Sequence, residues 1–290
     1  MTLRPTRPAA PGRGPRPSPP GRFGPADLRL ALAAPRPAAG LTSEFRLVDG
    51  LRTHTRRSAD PGGGAPAVVL VHGLALSHRY LTPLAVALSP THPVYAPDLP
   101  GFGLTEHPGT AYDVPRHAAH LAAWLDAYHL GRVCLVGHSF GAEVAAALAA
   151  RRPGLVRALV LAGPTGDPAA RARRGQLGRW LVDALREARL QAPILLRDVW
   201  AARPWRVLPA LSHSVRNAVE ADLVRVAAPT LVLTGSRDPI APVRWRDQAA
   251  RLVADGRTAT VPGAAHNVAT TAPLQVADAI RTLLAPALRR

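Results

Sequence analysis

The chain is 290 residues long, 47% hydrophobic and formally +17 at neutral pH, a charge carried by arginine alone because the sequence contains no lysine. That length and apolar content suffice for one substantial core, and no window approaches the roughly 18 consecutive apolar residues of a transmembrane helix. An all-arginine charge among abundant Ala and Pro, with only 4% aromatic residues, lacks the mixed basic residues and interleaved aromatics of a nucleic-acid surface, so no nucleic-acid partner is expected.

Residues 1–40 hold 10 Pro, 5 Gly and 7 Arg against a single acid, Asp27. Such a segment has almost no large apolar side chains to bury and is expected to be a disordered basic tail outside a domain spanning 41–290. The run from Leu28 to Ala34 is short and interrupted by Arg29, which argues against a secretory signal. The one cysteine, Cys134, falls within an apolar strand and has no partner for an internal disulfide, so a reducing, cytoplasmic location is expected.

From Glu44 the pattern changes. Alternating runs from Glu44 to Val48 and from Leu51 to Thr55 flank Asp49-Gly50, a hairpin signal. Apolar runs then alternate with helical patterns: a strand over 67–72, a helix over 77–88, a strand over 94–97 and a helix over 114–128 with Asp113 as its cap. After the strand and helix between Arg132 and Arg151 come a strand over 158–162, a strand over 230–234, a helix over 243–252, a strand over 258–261 and a helix over 274–284. Continuous Val and Leu runs of this kind suit parallel strands buried on both faces, and in such sheets active sites gather at the carboxyl ends of the strands. The interruption over about 164–222 has no strand pattern. It reads as a helical cap, with helices near 177–190 and 194–202, inserted between two strands so that it covers the site and supplies an apolar pocket. It also holds Trp180, Trp200 and Trp205, for which packing of cap helix on cap helix is the plainer reading.

The pivot of the chain is Gly137-His138-Ser139-Phe140-Gly141, a sharp turn between an apolar strand and an Ala-rich helix. With 24 Gly and nine Ser in the chain, chance supplies roughly 0.06 Gly-x-Ser-x-Gly matches before any demand for structural context. Glycines on either side let helix and strand approach closely, so the serine hydroxyl projects above the sheet edge, and the helix start aims free amides at any anion formed there. Four further motifs follow strand ends: His72-Gly73-Leu74, Asp98-Leu99-Pro100-Gly101-Phe102-Gly103, Gly235-Ser236-Arg237-Asp238 and Pro262-Gly263-Ala264-Ala265-His266.

Over about residues 44–288 these motifs, in the order Ser, Asp, His, make the chain resemble the α/β-hydrolase family, in its single-domain branch with an inserted cap. The resemblance implies a mostly parallel α/β sheet flanked by helices, with Ser139 as nucleophile, Asp238 as acid, His266 as base and the backbone amides of Leu74 and Phe140 as oxyanion donors. It implies neither cofactor nor metal. Asp167, after the preceding strand, is the alternative acid, since some members carry theirs there; Asp98 in the Asp-x-Pro-Gly-x-Gly pattern is structural. Serine at the elbow argues against the dehalogenases and epoxide hydrolases of the family, which carry aspartate there. Asn267 replaces the tryptophan common after the histidine in ring-cleavage carbon-carbon hydrolases. Ala142 and Thr105 replace a frequent glycine and serine. The expected activity is hydrolysis of an ester or similar acyl bond of a small, largely apolar molecule. A carbon-carbon bond hydrolase or an acyltransferase on the same triad is the alternative within enzymes, and a slow-turnover ligand receptor is the alternative outside them.

Overall fold

The computed structural model describes residues 23–170, 175, 178, 179, 182, 183 and 191–285. Asp49 and Gly50 both adopt positive φ, 46° and 75°, which matches the twist of a two-residue hairpin turn. β1 (Leu41–Val48) therefore returns as β2 (Leu51–Ser58) in antiparallel register, with Val48 opposite Leu51. β3 (Val68–Val71), β4 (Val94–Pro97), β5 (Val133–His138), β6 (Val156–Ala162), β7 (Thr230–Gly235) and β8 (Gly256–Val261) complete an eight-stranded sheet in the order β1-β2-β4-β3-β5-β6-β7-β8. β2 meets β4 antiparallel, and every later pair of neighbours is parallel.

The helices are α1 (Pro25–Leu32), α2 (His78–Leu88), α3 (Val114–Ala127), α4 (Phe140–Arg151), α5 (Ala192–Ala201), α6 (Pro204–Arg216), α7 (Val219–Leu223), α8 (Val243–Leu252), α9 (Val268–Thr271) and α10 (Pro273–Leu284). The unbroken apolar strands feed two cores at once, because successive side chains point to opposite faces. Val69, Val71, Leu135 and Leu159 pack with Leu121 and Leu125 of α3, Val144 of α4 and Trp245 of α8. Val68, Leu70, Val136 and Val160 pack on the other face with Leu81 and Leu84 of α2 and Val276 and Ile280 of α10. Ser77 caps α2 by accepting from the Arg79 amide at 3.2 Å, and Asp113 caps α3 by accepting from the Arg116 amide at 2.9 Å.

The strand order positions the site. β3 connects onward to β4 on one side of it, whereas β5 connects to β6 on the other, so their carboxyl ends flank the place where the winding reverses. That crevice is where open α/β sheets bind ligands, and the segments that leave it are His72-Gly73-Leu74 and Ser139.

Two expectations are corrected. The tail was expected to lack a core through residue 40, but from Phe23 onward the chain packs on the body. Pro25 starts α1, the Gly24 amide donates to Asp27 Oδ2 at 2.8 Å, Leu30 is buried, and Phe23 and Ala31 are buried against the α2 side of the sheet. About two helical turns thus suffice once α2 supplies the other half of the contact. Residues 1–22 lie outside the described residues. In the cap, the helix expected over 194–202 is α5, while α6 and α7 were not anticipated; most of the helix expected over 177–190, with Trp180, lies outside the described residues. Trp200 and Trp205 do not pack helix on helix: they are 79% and 69% exposed. No helix among the described residues is long and apolar enough to cross a membrane.

Candidate active site

Ser139 ends β5 and starts α4 in a conformation rare for a residue with a side chain, φ 55° and ψ −122°. Packing enforces it. A Cβ on Gly137 would strike the backbone of Gly141 and Ala142, and one on Gly141 would strike the carbonyls of Val71 and His72, so the elbow is pressed against the end of β3. The Ser139 amide donates to the Ala162 carbonyl at 2.9 Å, which ties the turn to β6 as well.

Asp238 and His266 come together from the loops after β7 and β8: His266 Nδ1 lies 2.9 Å from Asp238 Oδ2, and the other carboxylate oxygen accepts the amides of Ile240 and Ala241 at 2.8 and 2.9 Å. Burial pushes the Asp238 carboxyl up, but the charge and hydrogen bond of His266 together with those two amides outweigh it, and the group ends below its ordinary value. The His266 ring lies against that of His138, the residue before Ser139, with centroids 4.8 Å apart. Gly163, at the end of β6 with φ 54°, makes room for this pair, since a Cβ there would come within 2.9 Å of the His266 ring.

Asp167 is placed elsewhere. Its carboxylate is held by Arg179 at 2.9 Å, by both terminal nitrogens of Arg244 and by the Ala169 amide at 3.0 Å. Burial raises its pKa, and these donors more than reverse that.

Leu74 and Phe140, the two expected oxyanion donors, are buried, and neither amide takes part in the turn and loop hydrogen bonds among the described residues. His72 fixes the Leu74 loop from behind. Its Nε2 accepts the Leu99 amide at 2.9 Å, so its Nδ1 carries the proton and donates to the Gly73 carbonyl at 2.8 Å. Burial keeps this imidazole neutral by lowering its pKa. His138 is neutral for the same reason, pushed down to about 3 by burial and by His266. Its Nε2 faces the Tyr80 hydroxyl and the His266 carbonyl, both at 3.1 Å; because a carbonyl only accepts, Nε2 bears the proton.

Several residues around this constellation escaped the reading of the sequence. Asn267 accepts from the Tyr80 hydroxyl at 2.9 Å and donates to Gln191 at 3.0 Å, and the His266 amide donates to Asp183 at 3.2 Å, so two cap residues fasten the histidine loop. Glu143, one turn beyond the nucleophile, is fully buried and accepts from the hydroxyls of Thr165 and Ser214 and from Asn217 Nδ2 at 2.9 Å. An acid in an otherwise alanine-rich helix was a signal available for Glu143; nothing in the sequence announces Asp183 or Gln191.

His54, His78 and Asp98 place potential ligand atoms within 4.8 Å of one another, the one such group among the described residues. Both rings direct Nδ1 into the Asp98 carboxylate at 2.8 Å, a hydrogen-bond length, and the amides of His78 and Leu104 complete it at 2.7 and 2.9 Å. Hydrogen bonds within the protein occupy both Nδ1 atoms and both Asp98 oxygens, and His78 Nε2 is buried without a partner among the described residues. Thr105 keeps the role of a hydroxyl here, donating to the Asp98 carbonyl at 2.8 Å and accepting the His54 amide at 2.9 Å.

The sequence profile of a family described as alpha/beta hydrolase fold matches residues 66–203, and one described as TAP-like protein matches residues 200–287. The chain is 44% identical over 127 residues to a 2-hydroxy-6-oxo-2,4-heptadienoate hydrolase of Pseudomonas putida, a match that spans 41% of this chain and 44% of that protein, less than half of its length. It is 30% identical over 250 residues, 77% of this chain and 96% of the other, to a pimeloyl-[acyl-carrier protein] methyl ester esterase of Xanthomonas campestris pv. campestris. Among solved structures, a thermophilic esterase from Thermogutta terrifontis shares the fold with a TM-score of 0.69 at 22% identity, over 84% of this chain and 98% of the other.

Proposed function

Because the chain belongs to the α/β-hydrolase family, we propose that it is a serine hydrolase that cleaves an ester or related acyl bond of a small, largely apolar substrate through an acyl-enzyme. The single observation that carries this reading is the 2.9 Å contact of His266 Nδ1 with the buried Asp238 carboxylate, the imidazole lying against the residue that precedes a serine held on a strained elbow. A carboxylate only accepts, so Nδ1 holds the proton and Nε2 is left as the basic nitrogen. In the proposed cycle Nε2 takes the Ser139 proton as Oγ attacks the acyl carbon, and Asp238 stabilises the imidazolium that forms. The amides of Leu74 and Phe140 receive the charge that develops on the acyl oxygen, and the positive end of α4 adds to them. His266 then returns the proton to the leaving group, and a water repeats the sequence to release the acid. The chemistry needs no redox partner, and the cytoplasm suits it.

Labelling with a fluorophosphonate probe, together with turnover of p-nitrophenyl esters of graded chain length, tests the proposal. Covalent labelling at Ser139 with rapid turnover is the expected result; labelling without appreciable turnover would favour a ligand receptor instead. The 44% identity to the dienoate hydrolase supports a second reading, a carbon-carbon bond hydrolase on the same residues. Against it stands Asn267, whose side chain is committed to Tyr80 and Gln191. Decay of a 2-hydroxy-6-oxo-dienoate chromophore faster than ester cleavage would favour that second reading.

A further inference from the structure

The cap carries a surface that the chemistry at Ser139 leaves unexplained. Along α5, Leu196, Val199 and Trp200 recur at three and four residues and are 72%, 38% and 79% exposed, while Ile194 and Asp198 on the opposite side are buried. Along α6, Trp205 and Leu208 are 69% and 67% exposed, while Ala210 and Leu211 are buried. Only Ala202 and Arg203 separate the two helices, so the exposed apolar side chains occupy one short helical hairpin. Large apolar groups clustered in water mark an interaction surface rather than a random surface composition.

The charges of the same hairpin have one sign. Between residues 192 and 216 the sole acid is Asp198, which is buried and paired with Arg79 at 3.1 Å, whereas Arg197, Arg203 and Arg216 are exposed.

We propose that this face of the cap docks on an anionic lipid surface, with Leu196, Trp200, Trp205 and Leu208 entering the headgroup and acyl boundary while Arg197, Arg203 and Arg216 meet the headgroups. Tryptophans that stand mostly clear of their own protein find in a fluid interface an environment that takes the apolar ring and the polar N–H together, with no complementary socket required. The surface supplies the negative charge that the hairpin lacks, and combining an apolar helix face with exposed arginines gives the two contributions that reversible membrane attachment needs. The segment docks rather than spans, in keeping with the absence of a membrane-crossing helix among the described residues.

Cosedimentation of the full chain with vesicles of phosphatidylcholine, and of phosphatidylcholine with a rising fraction of phosphatidylglycerol, tests this. Bound protein should increase with phosphatidylglycerol, fall as salt rises, and show tryptophan emission shifted to shorter wavelength. The double variant Trp200→Ser, Trp205→Ser should bind at least about tenfold more weakly at an unchanged melting temperature, because both side chains are already largely in water. Arg197→Gln together with Arg203→Gln should weaken binding severalfold. Ser139→Ala should bind like the parent, which separates docking from chemistry. Absence of binding to phosphatidylglycerol vesicles, or undiminished binding by the double variant, would overturn the proposal. So would a concentration-dependent dimer that the double variant abolishes, since the face would then seat a second copy of the chain.

Discussion

Two buried aspartate-histidine clusters hang from the carboxyl ends of the same sheet. Asp98 follows β4 and meets the Nδ1 atoms of His54 and His78 at 2.8 Å; Asp238 follows β7 and meets the Nδ1 of His266 at 2.9 Å. The chemistry of the pairs is alike, but their outer edges differ. His54 Nε2 ends on the Ser43 hydroxyl at 2.9 Å, and Asp98 also ties the start of α2 and the turn at Leu104, so that cluster is spent on holding the chain together. The Asp238 cluster carries one imidazole, and that ring adjoins the residue before Ser139. Neighbourhood, rather than the residue pair, separates a cluster that holds a turn from the one to which the proposed mechanism assigns proton transfer.

Substitutions sharpen that contrast. Ser139→Ala should lower ester turnover by at least about 10⁴-fold while leaving the melting temperature within about a degree, since the hydroxyl contributes no core volume; activity within tenfold of the parent would break the proposed mechanism. Asp238→Asn should cost at least about a hundredfold in kcat, because an amide supports the wrong imidazole tautomer, whereas Asp167→Asn should stay within a few fold. Asp98→Asn should do the reverse of Asp238→Asn. It leaves buried imidazoles with a poorer acceptor and should cost about 3–5 kcal/mol in chemical denaturation, yet turnover per folded molecule at low temperature should remain within a few fold. If Asp98→Asn lost rate and kept its stability, the two clusters would have to exchange roles.

The same contrast shows what a sequence discloses. Parallel strands buried on both faces write themselves as continuous Val and Leu runs, and each site motif directly follows one of them, which made Ser139, Asp238 and His266 visible as candidates. That Asp238 rather than Asp167 stands beside His266 is a tertiary distance, and spacing along the chain does not carry it. The cap was the least legible region. Pro204 and Pro209 look like breakers, yet α6 begins at the first and tolerates the second. α1 was hidden for a similar reason: among so many Pro, Gly and Arg residues its few apolar side chains look insufficient until α2 provides their partner surface.

Truncation tests that last point. Removing residues 1–40 should lower the melting temperature by several degrees, because burial of Phe23 and Leu30 contributes roughly 1.5–3 kcal/mol for each side chain. Removing residues 1–22 alone should leave it within about a degree, since Phe23, α1 and the Arg56 contact to the Pro35 carbonyl at 3.5 Å all remain. Equal losses from the two truncations would show that the contribution comes from the first 22 residues.

The smallest expected effect lies where the cap meets the sheet. Asp198 of α5 accepts from Ser77 at 2.7 Å and from Arg79 at 3.1 Å, joining the cap to the segment that runs from the Leu74 loop into α2. Burial pushes its carboxyl up to about 6, with Ser77 and Arg79 opposing the shift and the charge of Asp98 adding to it. A carboxyl whose pKa is higher folded than unfolded binds more protons in the native state, so its contribution to stability grows as pH falls through about 6 towards the ordinary carboxylate value near 4 and is lost as pH rises back through that window. Asp98, Asp167 and Asp238, all shifted downward, act in the opposite sense and at lower pH, losing their stabilisation as pH falls below the ordinary value. Denaturation of the parent and of Asp198→Asn, compared at matched pH, isolates the cap residue. Relative to the variant, the parent should gain on the order of 1 kcal/mol between pH 6.5 and 4.5. A difference that stayed constant across that range, or grew towards high pH, would mean that the Asp198–Arg79 pair holds the carboxylate charged, and that the cap is fastened by an ion pair over the whole window.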